Sequence, residues 1–168
     1  MVATGIVPKE NTMKTKSFRR SRVLSMLAVL LTAPISIPSA FAQDAAGCAR
    51  QFELAQRVDM ESFRDYDLET WLAGHDERAV TVFASGAKRI GIDAIEQALA
   101  SHFANREAVW SWTELYRVVD GCHSAVILYD TVYAIPRIGF RQHALTSVTY
   151  THDGNKWLSI ADQGTLLP

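Results

Sequence analysis

Two titratable residues stand inside stretches of the second half of the chain that are otherwise rich in β-branched and aromatic residues. His143 is the best candidate for a general base, because an imidazole titrates near neutral pH. Glu114 lies between Trp112 and Tyr116 on the same face of its strand, and it is the best candidate for an acid that faces inward. His143 and Glu114 are therefore the candidate catalytic residues for acid–base chemistry. An exposed histidine and a salt-bridged glutamate are the alternatives.

Two aspartates, Asp130 and Asp162, also interrupt apolar stretches. Side chains alternate between the two faces of a strand, and this alternation places both carboxyl groups on the face opposite the expected pocket. We therefore expect them at solvent or at a subunit interface. His75 and Asp76 follow a predicted helix end, where a cap or turn role is expected.

Aromatic residues on the same stretches could line a pocket for a small apolar or aromatic molecule. If Ala125 and Ile127 face inward, alternation brings Tyr129 and Tyr133 to the same side. Apolar walls with a few polar groups are the usual form of a small-molecule site, although core packing alone also explains buried aromatic residues. The candidate ligand-binding residues are Trp71, Phe83, Trp112, Tyr116, His123, Tyr129, Tyr133 and Gln163.

Motifs for cofactors and metals are absent from the sequence. It contains no G-x-S-x-G motif, no phosphate-binding loop and no dinucleotide fingerprint. Its five histidines are scattered, and no HxxxH or CxxC spacing occurs. We therefore expect neither a cofactor nor a metal site.

The elements that must position these residues change in kind along the chain. Apolar residues recur at helical spacing over residues 49–73, with Gly74 as the expected stop. A short second helix is predicted over residues 75–80, and a short strand over 80–83. A third helix is predicted over residues 94–104, with Asp93 as its cap.

Four β-rich runs follow, over residues 109–119, 123–135, 140–152 and 157–162. Asp120-Gly121 and Asp153-Gly154-Asn155 between them are strong hairpin signals. Helices followed by an antiparallel meander predict a single α+β domain with the helices packed on one face of the sheet.

The amino-terminal residues 1–42 are typical of a signal peptide. A basic region around Arg19 and Arg22 precedes an apolar run over residues 23–37, and Ala40 and Ala42 match the usual cleavage pattern. We predict cleavage after Ala42, a natural start at Met13, and a secreted or periplasmic domain over residues 43–168. An uncleaved membrane anchor is the alternative. It would need about 20 apolar residues, and this run is shorter, so no stable membrane span is expected after cleavage.

Removal of residues 1–42 would leave 11 basic and 17 acidic residues, a formal net charge of −6. A mildly acidic domain without a basic cluster is a poor partner for nucleic acid, because phosphate neutralisation dominates such binding. Both cysteines, Cys48 and Cys122, would be exported, where disulfides persist. We predict a bridge between them, with two buried free thiols as the alternative.

Several short motifs resemble those of SnoaL-like domains in the nuclear transport factor 2-like superfamily. They are Leu72 to Val80, the run Gly91-Ile92-Asp93-Ala94-Ile95, the hairpin strand after Gly121, and the closing run Asp153 to Ile160. The match covers nearly all of residues 50–165. The resemblance implies a cone-shaped, curved antiparallel sheet of about four to six strands wrapped around three amino-terminal helices, with a cavity at the wide end and homodimers formed through the sheet.

The resemblance does not select one activity, because the superfamily includes cyclases, isomerases, dehydratases and domains that only bind. Ala161 and Gln163 also stand where imidazoles are frequent in the family. We therefore predict an exported domain that binds a small apolar or aromatic molecule. The alternatives are a cofactor-free isomerase, cyclase or dehydratase acting on a polycyclic or polyketide-like substrate, and an interaction module that uses its sheet.

Overall fold

The computed structural model describes residues 40–168, and it describes side chains from residue 46 onward. The predicted signal peptide and the start at Met13 lie outside the described residues, apart from the three positions before the predicted cut. None of the described helices is long and apolar enough to cross a membrane.

Residues 40–168 contain three α-helices: α1 (Ala40–Arg64), α2 (Leu68–Ala73) and α3 (Ile92–Asn105). The single helix predicted over residues 49–73 is therefore two helices. Tyr66 has a φ of 59°, which breaks the helical path. Asp67 then caps α2, because its carboxylate accepts a hydrogen bond from the backbone N–H of Thr70 at 3.1 Å.

The segment after Gly74 is strand β1 (His75–Val82), followed by β2 (Lys88–Ile90). The helix predicted over residues 75–80 was wrong, because pairing with a distant strand outweighs local preference here: Val80 lies opposite Ala161 in a parallel ladder. Helix α3 begins at Ile92 rather than after Asp93, since Gly91 with a φ of 86° precedes it.

The second half forms four strands: β3 (Val109–Asp120), β4 (Ser124–Ile135), β5 (Phe140–His152) and β6 (Trp157–Leu166). They pair as the predicted antiparallel meander. The complete sheet has the order β2-β1-β6-β5-β4-β3, with β1 parallel to β6 and antiparallel to β2. The predicted α+β class is confirmed, although the sheet is mixed rather than purely antiparallel.

The core lies between the helices and one face of the sheet. Phe52 of α1 is fully buried, and its ring meets those of Tyr150 and Trp157 edge-on at centroid distances of 5.2 and 5.0 Å. A second cluster joins α2 and α3 through Trp71 and Phe103.

The predicted disulfide is confirmed, joining Cys48 of α1 to Cys122 in the β3–β4 turn. A hydrogen bond joins α1 to the sheet beside the disulfide, because the indole N–H of Trp157 donates to the carbonyl oxygen of Cys48 at 3.2 Å. The start of α1 is therefore fastened to the sheet by one covalent bond and one buried hydrogen bond.

Candidate functional site

A cavity of about 300 Å³ lies between the sheet and all three helices. This volume is at the lower end of the range for small-molecule sites. Most of the wall is aromatic or aliphatic, and its largest contributors are Phe63, Trp71, Phe83, Leu99, Trp110 and Phe140. The cavity therefore presents an apolar surface to whatever enters it.

Asp59 of α1 and His75 of β1 face each other in the wall, and both side chains are over nine-tenths buried. Asp59 accepts a hydrogen bond from the hydroxyl of Tyr150 at 2.6 Å. Burial and the nearby Asp59 charge hold the pKa of the Tyr150 hydroxyl well above its usual range, so it stays a donor. The imidazole Nδ1 of His75 lies 2.7 Å from the carbonyl oxygen of Trp71.

Asp162 of β6 also borders the cavity and is half-buried. Burial raises the pKa of its carboxyl group to about 7, with a smaller contribution from the charge of Asp59, while the hydroxyl of Thr81 opposes the rise. A carboxyl group that is half-protonated near neutral pH can donate or accept a proton there. Asp59, His75 and Asp162 are called the polar cluster below.

A β-bulge in β6 brings Asp162 to the cavity. Thr149 of β5 lies opposite Ala161, whereas the next residue, Tyr150, lies opposite Ser159, so Ile160 is an extra residue in β6. The bulge reverses the alternation of side chains, and both Ser159 and Asp162 line the cavity. The expectation of a solvent or interface position for Asp162 was therefore wrong, because it assumed a regular strand.

A second polar pair, His102 and Tyr133, lies in the wall among aromatic rings. The His102 Nε2 is 2.7 Å from the carbonyl oxygen of Phe63, which can only accept, so Nε2 carries the proton. The Nδ1 of His102 is then free to accept from the Tyr133 hydroxyl at 3.1 Å. Burial lowers the pKa of His102, and the ring stacks on Phe63 at 3.9 Å. His102 is thus a neutral, fully hydrogen-bonded part of the wall.

Three of the eight predicted ligand-binding residues line the cavity: Trp71, Phe83 and Tyr133. Tyr129 is fully buried in the core below the cavity, and Trp112 packs against that core. These two residues are on the predicted face of the sheet but contribute to packing.

The other three lie outside the cavity. Tyr116 is 60% exposed, because a bulge at Leu115 turns it to the outer face, opposite Leu128. Gln163 is exposed beyond the β6 bulge, and His123 is exposed beside the β3–β4 turn. Tyr116 and Gln163 were placed on the cavity side because the prediction assumed regular strands without bulges.

Neither predicted catalytic residue lines the cavity. His143 lies on the outer face of the sheet, where its Nε2 is 2.7 Å from a carboxylate oxygen of Asp130. Glu114 is on the inner face, but Arg117 holds its carboxylate through two hydrogen bonds of 2.9 and 2.6 Å. The structure therefore does not bring His143 and Glu114 together at a shared pocket.

Sequence reasoning missed Asp59, His75 and His102 as cavity residues. Asp59 and His102 lie on the buried faces of α1 and α3, and a polar residue on the apolar stripe of a helix is the signal that would have found them. His75 was assigned to a turn because its strand was predicted as a helix. No group of three or more potential metal ligands occurs among the described residues.

The geometry resembles solved structures of one fold. A proposed dehydratase of the nuclear transport factor 2-like family from Streptomyces avermitilis matches 73% of this chain and 98% of its own, with a TM-score of 0.60 and 14% identity. A nuclear transport factor 2-like protein of unknown function from Shewanella oneidensis matches 70% of this chain and 98% of its own, with a TM-score of 0.59 and 12% identity. The chain has the nuclear transport factor 2-like fold.

A proposed calcium/calmodulin-dependent protein kinase type II association domain from Thiobacillus denitrificans is similar to the same extent. It covers 69% of this chain and 94% of its own, with a TM-score of 0.59 and 14% identity. No family model matches the sequence, and no curated protein matches it either. The predicted fold is confirmed, and neighbours with such different descriptions show that the fold alone does not select an activity.

Proposed function

We propose that this protein is an exported domain that binds a small, largely apolar molecule in the cavity between its sheet and helices. The observation that carries the proposal is the cavity itself, about 300 Å³ in volume and walled mainly by aromatic and aliphatic side chains. An apolar wall that is open to solvent leaves apolar surface in water. A ligand that covers this surface would gain free energy by removing it from water.

Binding can be tested with the neutral fluorescent probe N-phenyl-1-naphthylamine. Ala98 of α3 lines the cavity, whereas Ala100, two residues away on the same helix, is exposed. We expect the native protein to bind the probe and Ala98→Phe to weaken binding at least tenfold by filling the cavity. Ala100→Phe is the matched control and should bind as the native protein does. Equal binding by all three proteins, or none by the native protein, would contradict the proposal.

Export is proposed from the amino-terminal sequence, and the Cys48–Cys122 disulfide supports it, since such bonds persist in oxidising compartments. The full chain expressed in a bacterium should yield a periplasmic or secreted protein whose first residue is Gln43. A protein that retains residues 1–42 in the cytoplasm would contradict this part of the proposal.

We also propose a homodimer formed through the sheet, as the resemblance to the SnoaL-like domains implies. The outer face of β3 and β4 carries four neighbouring apolar side chains, Tyr116, Val118, Val126 and Leu128. Tyr116 and Val118 are 60% and 48% exposed. Contiguous apolar patches of this kind often mark association surfaces. This set is called the outer patch below.

Cofactor-free acid–base catalysis is the second candidate, and the polar cluster is the observation that favours it. Catalytic acids and bases need pKa values near the working pH, and Asp162 has a pKa of about 7 inside the cavity. Exchange of the α-hydrogens of 2-tetralone with D₂O, followed by NMR, would detect such a base. Native exchange that disappears in Asp162→Asn would support catalysis, and exchange no faster than in buffer would contradict it.

A further inference from the structure

His75 has an unused hydrogen-bond acceptor that faces the cavity. Its Nδ1 lies 2.7 Å from the carbonyl oxygen of Trp71 and must carry a proton, because a carbonyl group can only accept. In the tautomer that carries only this proton, Nε2 is an acceptor. Among the described residues it has no hydrogen-bond partner, although the side chain is only 7% exposed.

Asp59 presents a second acceptor to the same space. Its Oδ2 is occupied by the Tyr150 hydroxyl at 2.6 Å, while its Oδ1 lies 3.9 Å from the Nε2 of His75. That distance is too long for a direct hydrogen bond, whether or not Nε2 is protonated. Both acceptors belong to residues that line the cavity, so a donor group that enters it can satisfy them.

The charged groups of the cavity wall also favour a ligand that brings hydrogen-bond donors. Asp59 and Asp162 both line the cavity, so two carboxyl groups border the same space. The described part of the wall contains no lysine or arginine to balance them. A ligand with an anionic group would therefore be repelled, whereas a cation would be attracted.

We propose that the cavity takes a primary amine with an apolar or aromatic body, bound with its ammonium group at the polar cluster. An ammonium group has three N–H donors and no acceptor, which matches the acceptors that Asp59, His75 and Asp162 bring to the cavity wall. A hydroxyl group brings one donor and no charge. The rings of Phe63, Trp71 and Trp110 contact the body, and aromatic faces also attract cations. This proposal deepens the proposed function and rests on it.

Three probes with one naphthalene body test the proposal: 1-naphthylmethylamine, 1-naphthalenemethanol and 1-naphthoate, measured by isothermal titration calorimetry at pH 7.5. We expect the amine to bind at least tenfold more tightly than the alcohol, and the carboxylate to bind more weakly than both. An alcohol that binds as tightly as the amine overturns the inference while leaving small-molecule binding intact. If no probe binds, N-phenyl-1-naphthylamine included, the proposed function fails and this inference fails with it.

Asp162→Asn separates the charge from the shape of the site. We expect the ratio of amine affinity to alcohol affinity to fall about tenfold, because one carboxylate partner of the ammonium group is lost. Asp120→Asn, an exposed position at the end of β3, is the matched control and should keep the native ratio. Circular dichroism checks that both variants fold. An unchanged ratio in folded Asp162→Asn overturns the inference.

Discussion

At the scale of single residues, the environment of a carboxyl group decides its chemistry more than its neighbours in the sequence do. Asp130 and Asp162 both interrupt apolar strands, yet Asp130 is paired with His143 on the outer face while Asp162 borders the cavity. The environment of Asp162 should make the stability of the protein depend on pH.

Asp162 should make the protein less stable as the pH rises from about 4 to about 7. The folded-state pKa is about 7 against an ordinary value of 3.8, so within this window the folded protein holds a proton that the unfolded chain has released. Asp162→Asn removes the penalty of the ionised group. We expect it to be more stable than the native protein above pH 7 by on the order of 2 kcal/mol, with little difference at pH 4.

Urea unfolding at pH 4, 6 and 8 measures this effect. The exposed Asp120→Asn should show no difference from the native protein that depends on pH. A native protein that gains stability relative to Asp162→Asn as the pH rises would show that the carboxyl group is stabilised as an anion, against the expectation.

At the scale of elements, the position of β6 against the loop after β1 depends on a glycine. A Cβ added at Gly164 would lie 3.0 Å from the backbone nitrogen of Ala84 and 3.1 Å from its Cβ. Backbone contacts this short cannot be relieved by rotating a side chain, so β6 or the loop must move. We expect Gly164→Ala to lower the free energy of unfolding by about 1–3 kcal/mol through this overpacking.

Gly47 supplies the control, because it lies within α1 and an added Cβ there meets nothing within 4 Å. Gly47→Ala should leave stability unchanged or raise it by up to about 1 kcal/mol, since alanine favours helix over glycine. Thermal unfolding of the two variants compares them directly. Equal melting temperatures would mean that the loop around Ala84 yields freely.

Much of the element order could be predicted from the sequence, and the failures have definite physical causes. The hairpin signals at Asp120-Gly121 and Asp153-Gly154-Asn155 are local, and the β3–β6 meander they predict is present. Only the end of strand β1 was predicted, within the short strand over residues 80–83, and its first residues were taken for a helix. Its partner, β6, is about 80 residues away, and no local pattern reports such pairing. The candidate site was predicted less well than the fold, because bulges at Leu115 and Ile160 reverse the faces on which Tyr116, Gln163 and Asp162 lie.

At the scale of the whole molecule, the disulfide closes a loop between positions 74 residues apart and joins α1 to the β3–β4 turn. A link of this kind stabilises mainly by restricting the unfolded chain. We expect the double variant Cys48→Ala with Cys122→Ala to lose about 2–4 kcal/mol of stability. The melting temperature of the native protein should fall toward that of the variant when dithiothreitol is added. A variant that still responds to the reductant would point to a different cause.

The outer patch predicts the oligomeric state. Val118→Lys places a charge in the middle of it, so we expect the native protein to sediment as a dimer and this variant as a monomer with unchanged circular dichroism. Leu54→Lys, at a 61% exposed apolar position on α1, is the control and should remain dimeric. A native protein that sediments as a monomer at high concentration would remove the homodimer proposal.

The extra residue in β6 also affects how this protein should be compared with its relatives. Ser159 and Asp162 line one cavity although two residues separate them, whereas a regular strand would separate them by one. An alignment written without a gap at Ile160 would therefore set Asp162 against positions that face outward in a relative with a regular last strand. Searches for the same polar cluster in distant homologues should allow a one-residue insertion at that point, because the shared feature is a location in space and not a fixed spacing in the chain.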